Sequence, residues 1–274
     1  MSETQVWLVT GATSGFGRAI VESALAAGHE VVAAVRRPEA LGDLAERVMT
    51  VSLDVTDLAG MPSVVNEVMM RHGRVDVLVN NAGRGHLGAA EEGTDAELRA
   101  LMDLHFFGPT ELTRLLLPQM RARGSGTIVQ MSSMGGRTTF PGVGAYSATK
   151  YALEGWSEAL AAEVDPFGIR VIIVEPGAFR TGFNTSGALG SSSTLPAYRD
   201  QMDALKATFA DQDGQQPGDP TKAAAAIVEA VASGRPPLHL VLGDDAVESI
   251  NATLTQQQDE LAAWESVSRS TAHD

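Results

Sequence analysis

In "SSMGGRTTFPGVGAYSATKYALEGW", residues 132–156, Tyr146 and Lys150 stand four apart where the pattern turns helical, and the serine pair Ser132 and Ser133 lies one loop upstream. Positions four apart on a helix share a face, so a phenol and an ammonium become neighbours. A phenol ordinarily titrates near 10; a positive charge beside it favours the phenolate and lowers that value. A hydroxyl at the top of an adjacent strand can hydrogen-bond an oxygen that is gaining charge. Together the three groups suit delivery of a proton to a carbonyl oxygen as it becomes an alkoxide. Nucleophilic use of the serine is unsupported, because no G-x-S-x-G elbow surrounds it and no histidine is placed as its base. Taken alone, Y-x-x-x-K is also the spacing of an ordinary exposed helix pair, so the chemistry depends on what the chain builds beneath it.

A second chemical feature lies near the N-terminus. "VWLVTGATSGFGRAIVESALAAG" sets Gly11, Gly15 and Gly17 between strand-like and helical sequence. Such a turn is tight and lets the backbone approach a pyrophosphate, while the helix N-terminus offers free amides and a positive dipole end. The spacing G-x-x-x-G-x-G differs from the G-x-G-x-x-G fingerprint, and no G-K-[ST] follows, which argues against a phosphate-loop nucleotidase. At the end of the second expected strand, "VVAAVRRPE" has Val35 where an acid would bind a ribose 2′-hydroxyl, followed by Arg36 and Arg37. A carboxylate repels a 2′-phosphate and a guanidinium pairs with it. The pattern favours NADP(H), with NAD(H) possible; the alternative is two solvated loop arginines.

The elements that must position these groups alternate along the chain. Strands are expected at 6–10, 30–35, 47–55, 75–81, 126–133, 169–177 and 237–243, and helices at 16–27, 61–72, 94–122, 147–164 and 220–233. Several strands are apolar at consecutive positions, the mark of strands covered on both faces. The expectation is α/β: a Rossmann-like doubly wound parallel sheet of about seven strands with helices on both faces, a single domain over 1–274. Thr94 and Glu97 have capping-box spacing, and Pro109 predicts a bend in the helix that follows. The Gly, Ser, Asp and Pro-rich stretch 183–218 reads as a substrate lid or a poorly ordered segment. Residues 244–274 read as an amphipathic helical tail.

Composition narrows the function classes. With 274 residues, 44% of them hydrophobic, the chain can bury one large core. A formal net charge of -14 argues against a non-specific grip on nucleic acid or anionic membrane. There are no cysteines, and the six histidines show no ligand spacing, so no dedicated metal site is expected. No basic, apolar leader opens the sequence and no apolar run reaches the length of a membrane helix, so a cytoplasmic location is expected.

"TGATSGFG" (10–17), "NNAG" (80–83), a serine on the fifth expected strand, "YSATK" (146–150) and "PG" (176–177) stand in an order and spacing that resemble the short-chain dehydrogenase/reductase family, over roughly residues 5–182. The resemblance implies an NAD(P)-dependent oxidoreductase acting on a CH–OH group, here a secondary alcohol/ketone pair. The family's serine-to-tyrosine interval selects Ser133, with Tyr146 as general acid/base and Lys150 assisting and reaching the nicotinamide ribose. It also implies that Gly11, Thr13, Ser14, Gly15, Phe16 and Gly17 hold the cofactor phosphates. Asp54 and Val55 would frame the adenine, Asn81, Ala82 and Gly83 the adenosine ribose, and Pro176, Gly177 and Thr181 the nicotinamide end.

One position departs from the family pattern: "LMDLHFFGPTELTR" places His105 where many members carry a catalytic asparagine. A histidine could keep the main-chain carbonyl that holds a water near the lysine and add a titrating ring, or it could be an ordinary packed residue. Candidate pocket residues are Arg84, His86, Met134 to Phe140 and Ala178 to Phe183. Phe140, Phe179 and Phe183 suggest an apolar pocket or hinge packing. Arg84, Arg137 and Arg180 could meet an anionic substrate or simply be solvated. The expected partner is a small-molecule carbonyl or alcohol, with no nucleic acid and no membrane. A homodimer or homotetramer follows by resemblance only. Competing readings are a nucleotide-sensing or scaffold protein without turnover, and an epimerase or dehydratase on the same frame.

Overall fold

The computed structural model describes residues 3–185 and 187–273; Ser186, inside the expected lid, and the chain ends at 1–2 and 274 lie outside the described residues. The elements run β1 (Val6–Thr10), α1 (Gly15–Ala26), β2 (Glu30–Val35), β3 (Met49–Ser52), α2 (Met61–His72), β4 (Val77–Asn80) and β5 (Gly85–Leu87). Then come α3 (Asp95–Met102), α4 (Gly108–Arg123), β6 (Gly126–Met131), α5 (Gly144–Val164), β7 (Ile169–Pro176) and β8 (Leu189–Ser191). The last four are α6 (Arg199–Asp211), α7 (Pro220–Ala232), β9 (His239–Leu242) and α8 (Asp244–Arg269).

Seven strands form one sheet in the order β3-β2-β1-β4-β6-β7-β9, every pairing parallel. Alternate residues of each strand feed opposite faces. On β1, Trp7 and Val9 join a core with Ile20 and Val21 of α1 and Ile227 and Val231 of α7. Val6 and Leu8 join the other core, with Val65 and Val68 of α2, Leu112 and Leu116 of α4 and Leu160 and Val164 of α5. Helices therefore cover both faces, which is why the strands read as continuous apolar runs. The chain direction across the sheet reverses between β1 and β4, and the carboxyl ends there open a crevice of the kind that binds ligands in such sheets.

Three details differ from the sequence expectation. The helix expected over 94–122 begins with the capping box at Thr94 but is interrupted by a π turn at Asp103–Phe107, ahead of the proline. Pro109 has no N–H to offer the carbonyl four residues back, so the ladder widens just before it. Gly108 meanwhile packs so closely on the Val55 carbonyl oxygen that a Cβ there would collide with it. Second, β5 and β8 form a separate two-stranded parallel sheet that pairs residues far apart in sequence. Third, the polar stretch expected as a lid carries helix α6, whose Met202 packs with Leu87 and Val143, with Leu205 and Phe209 against them. Among the described residues, no helix is long and apolar enough to cross a membrane.

Candidate active site

The carboxyl ends of β1, β4, β6 and β7 open into one cavity of about 1080 Å³. Its walls bring together Ser133, Tyr146, Lys150 and His105 with the turn residues Gly11, Thr13, Ser14, Gly15 and Phe16. Arg36, Arg37, Asp54, Val55, Asn81, Ala82, Gly83, Pro176, Gly177 and Thr181 line it as well. Gly17 is the exception among the expected cofactor residues. It does not line the cavity, because it sits behind the turn, where a Cβ would run into the Gly11 carbonyl oxygen. Its smallness seats α1 against β1 rather than exposing backbone to a ligand.

At the turn end, Gly11 (φ 68) and Gly15 (φ 53) adopt left-handed backbone that a side chain would strain. Asn81 latches this turn from β4: its Nδ2 donates to the Thr10 carbonyl at 2.8 Å and to that of Gly11 at 3.2 Å. The Thr10 hydroxyl accepts from the Asn81 and Ala82 amides. Ser14, at the N-cap of α1, makes no side-chain cap, so the first amides of the helix face the cavity without a side-chain acceptor. Asp54 is held by the Thr56 amide and hydroxyl at 2.9 and 2.8 Å, and the Thr56 amide bond is the main reason its carboxyl titrates below the usual range. Arg36 and Arg37 are exposed, and neither is in an ion pair among the described residues.

At the other end, α5 begins at Gly144, earlier than the sequence pattern places it, so Tyr146 already lies in its first turn. The Lys150 amine is 5.8 Å from the Tyr146 ring centre and donates to the Met131 carbonyl at 2.8 Å. Ser133 Oγ accepts from the Gly135 amide at 3.0 Å, which leaves its own proton free to point at the phenol or a substrate. Phe183 meets the Tyr146 ring edge-on at 5.9 Å between centres.

The electrostatics revise one expectation. Burial pushes the Tyr146 phenol up to about 12, against a smaller lowering by Ser133, rather than the lysine drawing it down. Lys150 is itself buried, and burial brings its ammonium down to about 8, partly opposed by Glu154. The desolvation that surrounds both groups outweighs their mutual effect.

His105 is buried at 1% exposure and fully engaged. The Arg84 amide donates to its Nε2 at 3.1 Å, and its Nδ1 lies 2.9 Å from Thr149 Oγ1. Thr149 gives its own proton to the Tyr146 carbonyl at 2.7 Å, so His105 Nδ1 must be the donor and Nε2 the acceptor. The ring is thus neutral and fixed. Burial, then the Lys150 charge, hold it well below its ordinary value. The titrating ring that the sequence admits is absent, and the imidazole instead braces α5 against the segment at Arg84, its ring edge-on to Tyr146 at 5.6 Å.

A match to the family model described as short chain dehydrogenase covers residues 5–189. The chain belongs to the short-chain dehydrogenase family. A solved short-chain dehydrogenase from Streptomyces avermitilis is 53% identical, with a TM-score of 0.93 over 99% of this chain and 100% of that one. A 3-ketodihydrosphingosine reductase of Bacteroides thetaiotaomicron is 38% identical over 88% of each chain. A short-chain dehydrogenase from Burkholderia cenocepacia, solved in complex with NADP, is 27% identical, with a TM-score of 0.74 over 95% of this chain and 97% of that one. This short-chain dehydrogenase is accordingly an NAD(P)-dependent oxidoreductase acting on CH–OH groups.

Around Tyr146 of the dehydrogenase, several expected lining residues turn elsewhere. Arg137 is drawn away from the cavity to Glu175 at 3.0 Å, and Arg180 to the Gln216 carbonyl at 2.6 Å. His86 faces the cavity but is tied to Ser192 Oγ at 2.9 Å. Phe179 lines the cavity and meets the Phe16 ring at a tilt, 5.1 Å between centres. Arg84, Met134, Phe140 and Phe183 do line the cavity. Sequence reasoning missed Val143, Leu189, Leu205 and Phe209 on its wall, and Asp245, which anchors the Ala178 amide at 2.7 Å. The spacing of Met202, Leu205 and Phe209, three then four apart, was the available signal for an apolar helix face inside a polar stretch.

Proposed function

We propose that this dehydrogenase is an NADP(H)-preferring enzyme that interconverts a secondary alcohol and a ketone. One observation carries the reading: Ser133, Tyr146 and Lys150 share a cavity whose far end is bounded by the glycine turn, Arg36 and Arg37. The residues present suit a dinucleotide. Left-handed glycines clear the backbone at Gly11 and Gly15, α1 offers uncapped amides, and Arg36 and Arg37, in no ion pair among the described residues, line the cavity and could pair with a 2′-phosphate. Lys150, Asn81, Pro176, Gly177 and Thr181 would hold the ribose and nicotinamide end. When bound, the reduced cofactor supplies the hydride.

The chain's own residues handle the proton. A phenol pushed up to about 12 stays protonated at neutral pH and is ready to donate to a nascent alkoxide. Lys150, at about 8, is mostly charged at neutral pH and stabilises the phenolate left behind. Ser133 donates its free proton to the substrate oxygen as charge grows there.

Phe140, Val143, Leu205 and Phe209 give the substrate side of the cavity an apolar wall. With the Bacteroides relative named as a 3-ketodihydrosphingosine reductase, this supports an extended, largely apolar ketone beneath α6. A homodimer or homotetramer belongs to the same reading, through the exposed Leu98, Phe107 and Tyr151 on the α3 to α5 side, as does a cytoplasmic location.

The test follows reduced-nicotinamide absorbance with purified enzyme and a ketone panel of graded chain length, comparing NADPH with NADH. Oxidation of NADPH that speeds up with chain length is expected. NADPH binding without turnover on any ketone would overturn the assignment.

A further inference from the structure

Behind the catalytic helix, away from the cavity, a polar cluster joins three segments. Glu154 and Glu158 lie one turn apart on α5, Glu175 is on β7 and His239 opens the edge strand β9. One donor atom from each of Glu154, Glu158 and His239 lies within 4.8 Å of the others. Glu154 is only 3% exposed, and neither of its carboxylate oxygens has a hydrogen-bond partner among the described residues. A buried carboxyl without partners is expensive; its Oε2 lies 3.6 Å from His239 Nδ1.

His239 is oriented in the manner of a metal-binding imidazole. Its Nδ1 stands 2.6 Å from Glu175 Oε1, a separation that requires Nδ1–H to donate to the carboxylate. Nε2 is therefore left with a free lone pair, and it lies 3.6 Å from Glu158 Oε1. A ring nitrogen fixed by a carboxylate while the other stays free is the arrangement that supports histidine ligands. Neighbouring donors in a tetrahedral zinc shell stand about 3.4 Å apart; Glu158 already lies near that distance from Nε2, whereas Glu154, which lies beside Nδ1, must turn toward the ion. Arg137, 3.0 Å from Glu175 Oε1, balances that carboxylate, and burial raises the Glu154 carboxyl to about 8, so the cluster carries no large excess of negative charge.

We propose that Glu154, Glu158 and His239 bind a divalent transition-metal ion of the Zn²⁺ type, tying α5 to β9. Two carboxylates and one imidazole make a borderline donor set suited to zinc. Glu158 is half exposed, which gives the ion an entry path and leaves a position for water. Glu175 acts behind His239, and Arg137 balances Glu175. The helix offers only a Glu-x-x-x-Glu pair, and the third ligand comes from a distant strand. Local spacing, on which the expectation of no metal site rested, could not reveal it.

The experiment is calorimetric titration of ZnCl₂ into untagged, EDTA-stripped protein, with Glu158→Gln and His239→Ala variants alongside. Wild type should take up one equivalent saturably and melt at a higher temperature with zinc present; each variant should bind at least tenfold more weakly and lose that shift. Glu158 is on the surface, so its variant carries the test if His239→Ala does not fold. No saturable uptake by wild type, or uptake that Glu158→Gln leaves unchanged, as from an adventitious ion only, would overturn the site. Because these residues lie outside the cavity, carbonyl reduction can fail or succeed independently.

Discussion

The Arg84 amide donates to His105 Nε2 at 3.1 Å, while the opposite ring nitrogen gives its proton to Thr149. One side chain thus spans from the loop after β4 to α5. An asparagine is too short to satisfy both ends, so His105→Asn should leave one buried polar group unpaired and cost about 1–3 kcal/mol of stability. A buried ring whose two nitrogens are both engaged is not expected to carry a proton in turnover, so the variant should keep kcat within about tenfold of wild type, an effect below that of general acid–base groups. Denaturant melts and steady-state kinetics read the two quantities separately; a folded but inactive variant would refute the bracing role.

Tyr146→Phe keeps the ring that packs against His105 and Phe183 and deletes only the hydroxyl. Ketone reduction should fall by about 10²–10⁴-fold, the usual worth of a general acid. NADPH affinity, followed by fluorescence titration, should stay the same. Parental turnover in this variant is the outcome that removes Tyr146 from the chemistry.

The pH profile should belong to the lysine. Burial lowers Lys150 to about 8, so its charge is present below that pH and lost as pH rises through it. Tyr146, at about 12, stays protonated across the same range. A plot of kcat/KM for reduction should therefore run level through neutrality and bend downward near pH 8, with no step near the ordinary value of histidine. Lys150→Arg should move the bend to higher pH, since guanidinium does not titrate there.

Arg36→Ala and Arg37→Ala address coenzyme choice. Loss of a charge-assisted contact to the 2′-phosphate costs about 1.5–3 kcal/mol, or about 10–150-fold in kcat/KM with NADPH. Rates with NADH, which lacks that phosphate, should barely change. Equal losses with both coenzymes would mean that neither arginine reads the 2′ position.

The sequence already held most of the architecture because parallel strands covered on both faces are apolar without interruption, as in "VWLVT" and "IRVIIV". Most motif residues converged on one cavity because they sit at the carboxyl end of such a strand or just beyond it, and α5 brings Tyr146 and Lys150 to the same place. What escaped depends on distance in space. The π turn at Asp103–Phe107 needs both a missing proline N–H and the close seat of Gly108 on Val55. The pairing of β5 with β8 joins segments that share no local signal. The tyrosine's raised pKa was also hidden, since a motif gives neighbours but not the solvent they have lost.

The small β5–β8 ladder is main chain holding main chain: Gly85 donates to the Ala188 carbonyl and Ser192 to that of Leu87, while Gly88 donates to Gly142. The rim above Tyr146 is consequently sewn together from three separate stretches of backbone. Widening that mouth means parting several amide–carbonyl hydrogen bonds together. Substitutions that merely trim rim side chains should alter which molecules enter far more than how often the entrance gapes.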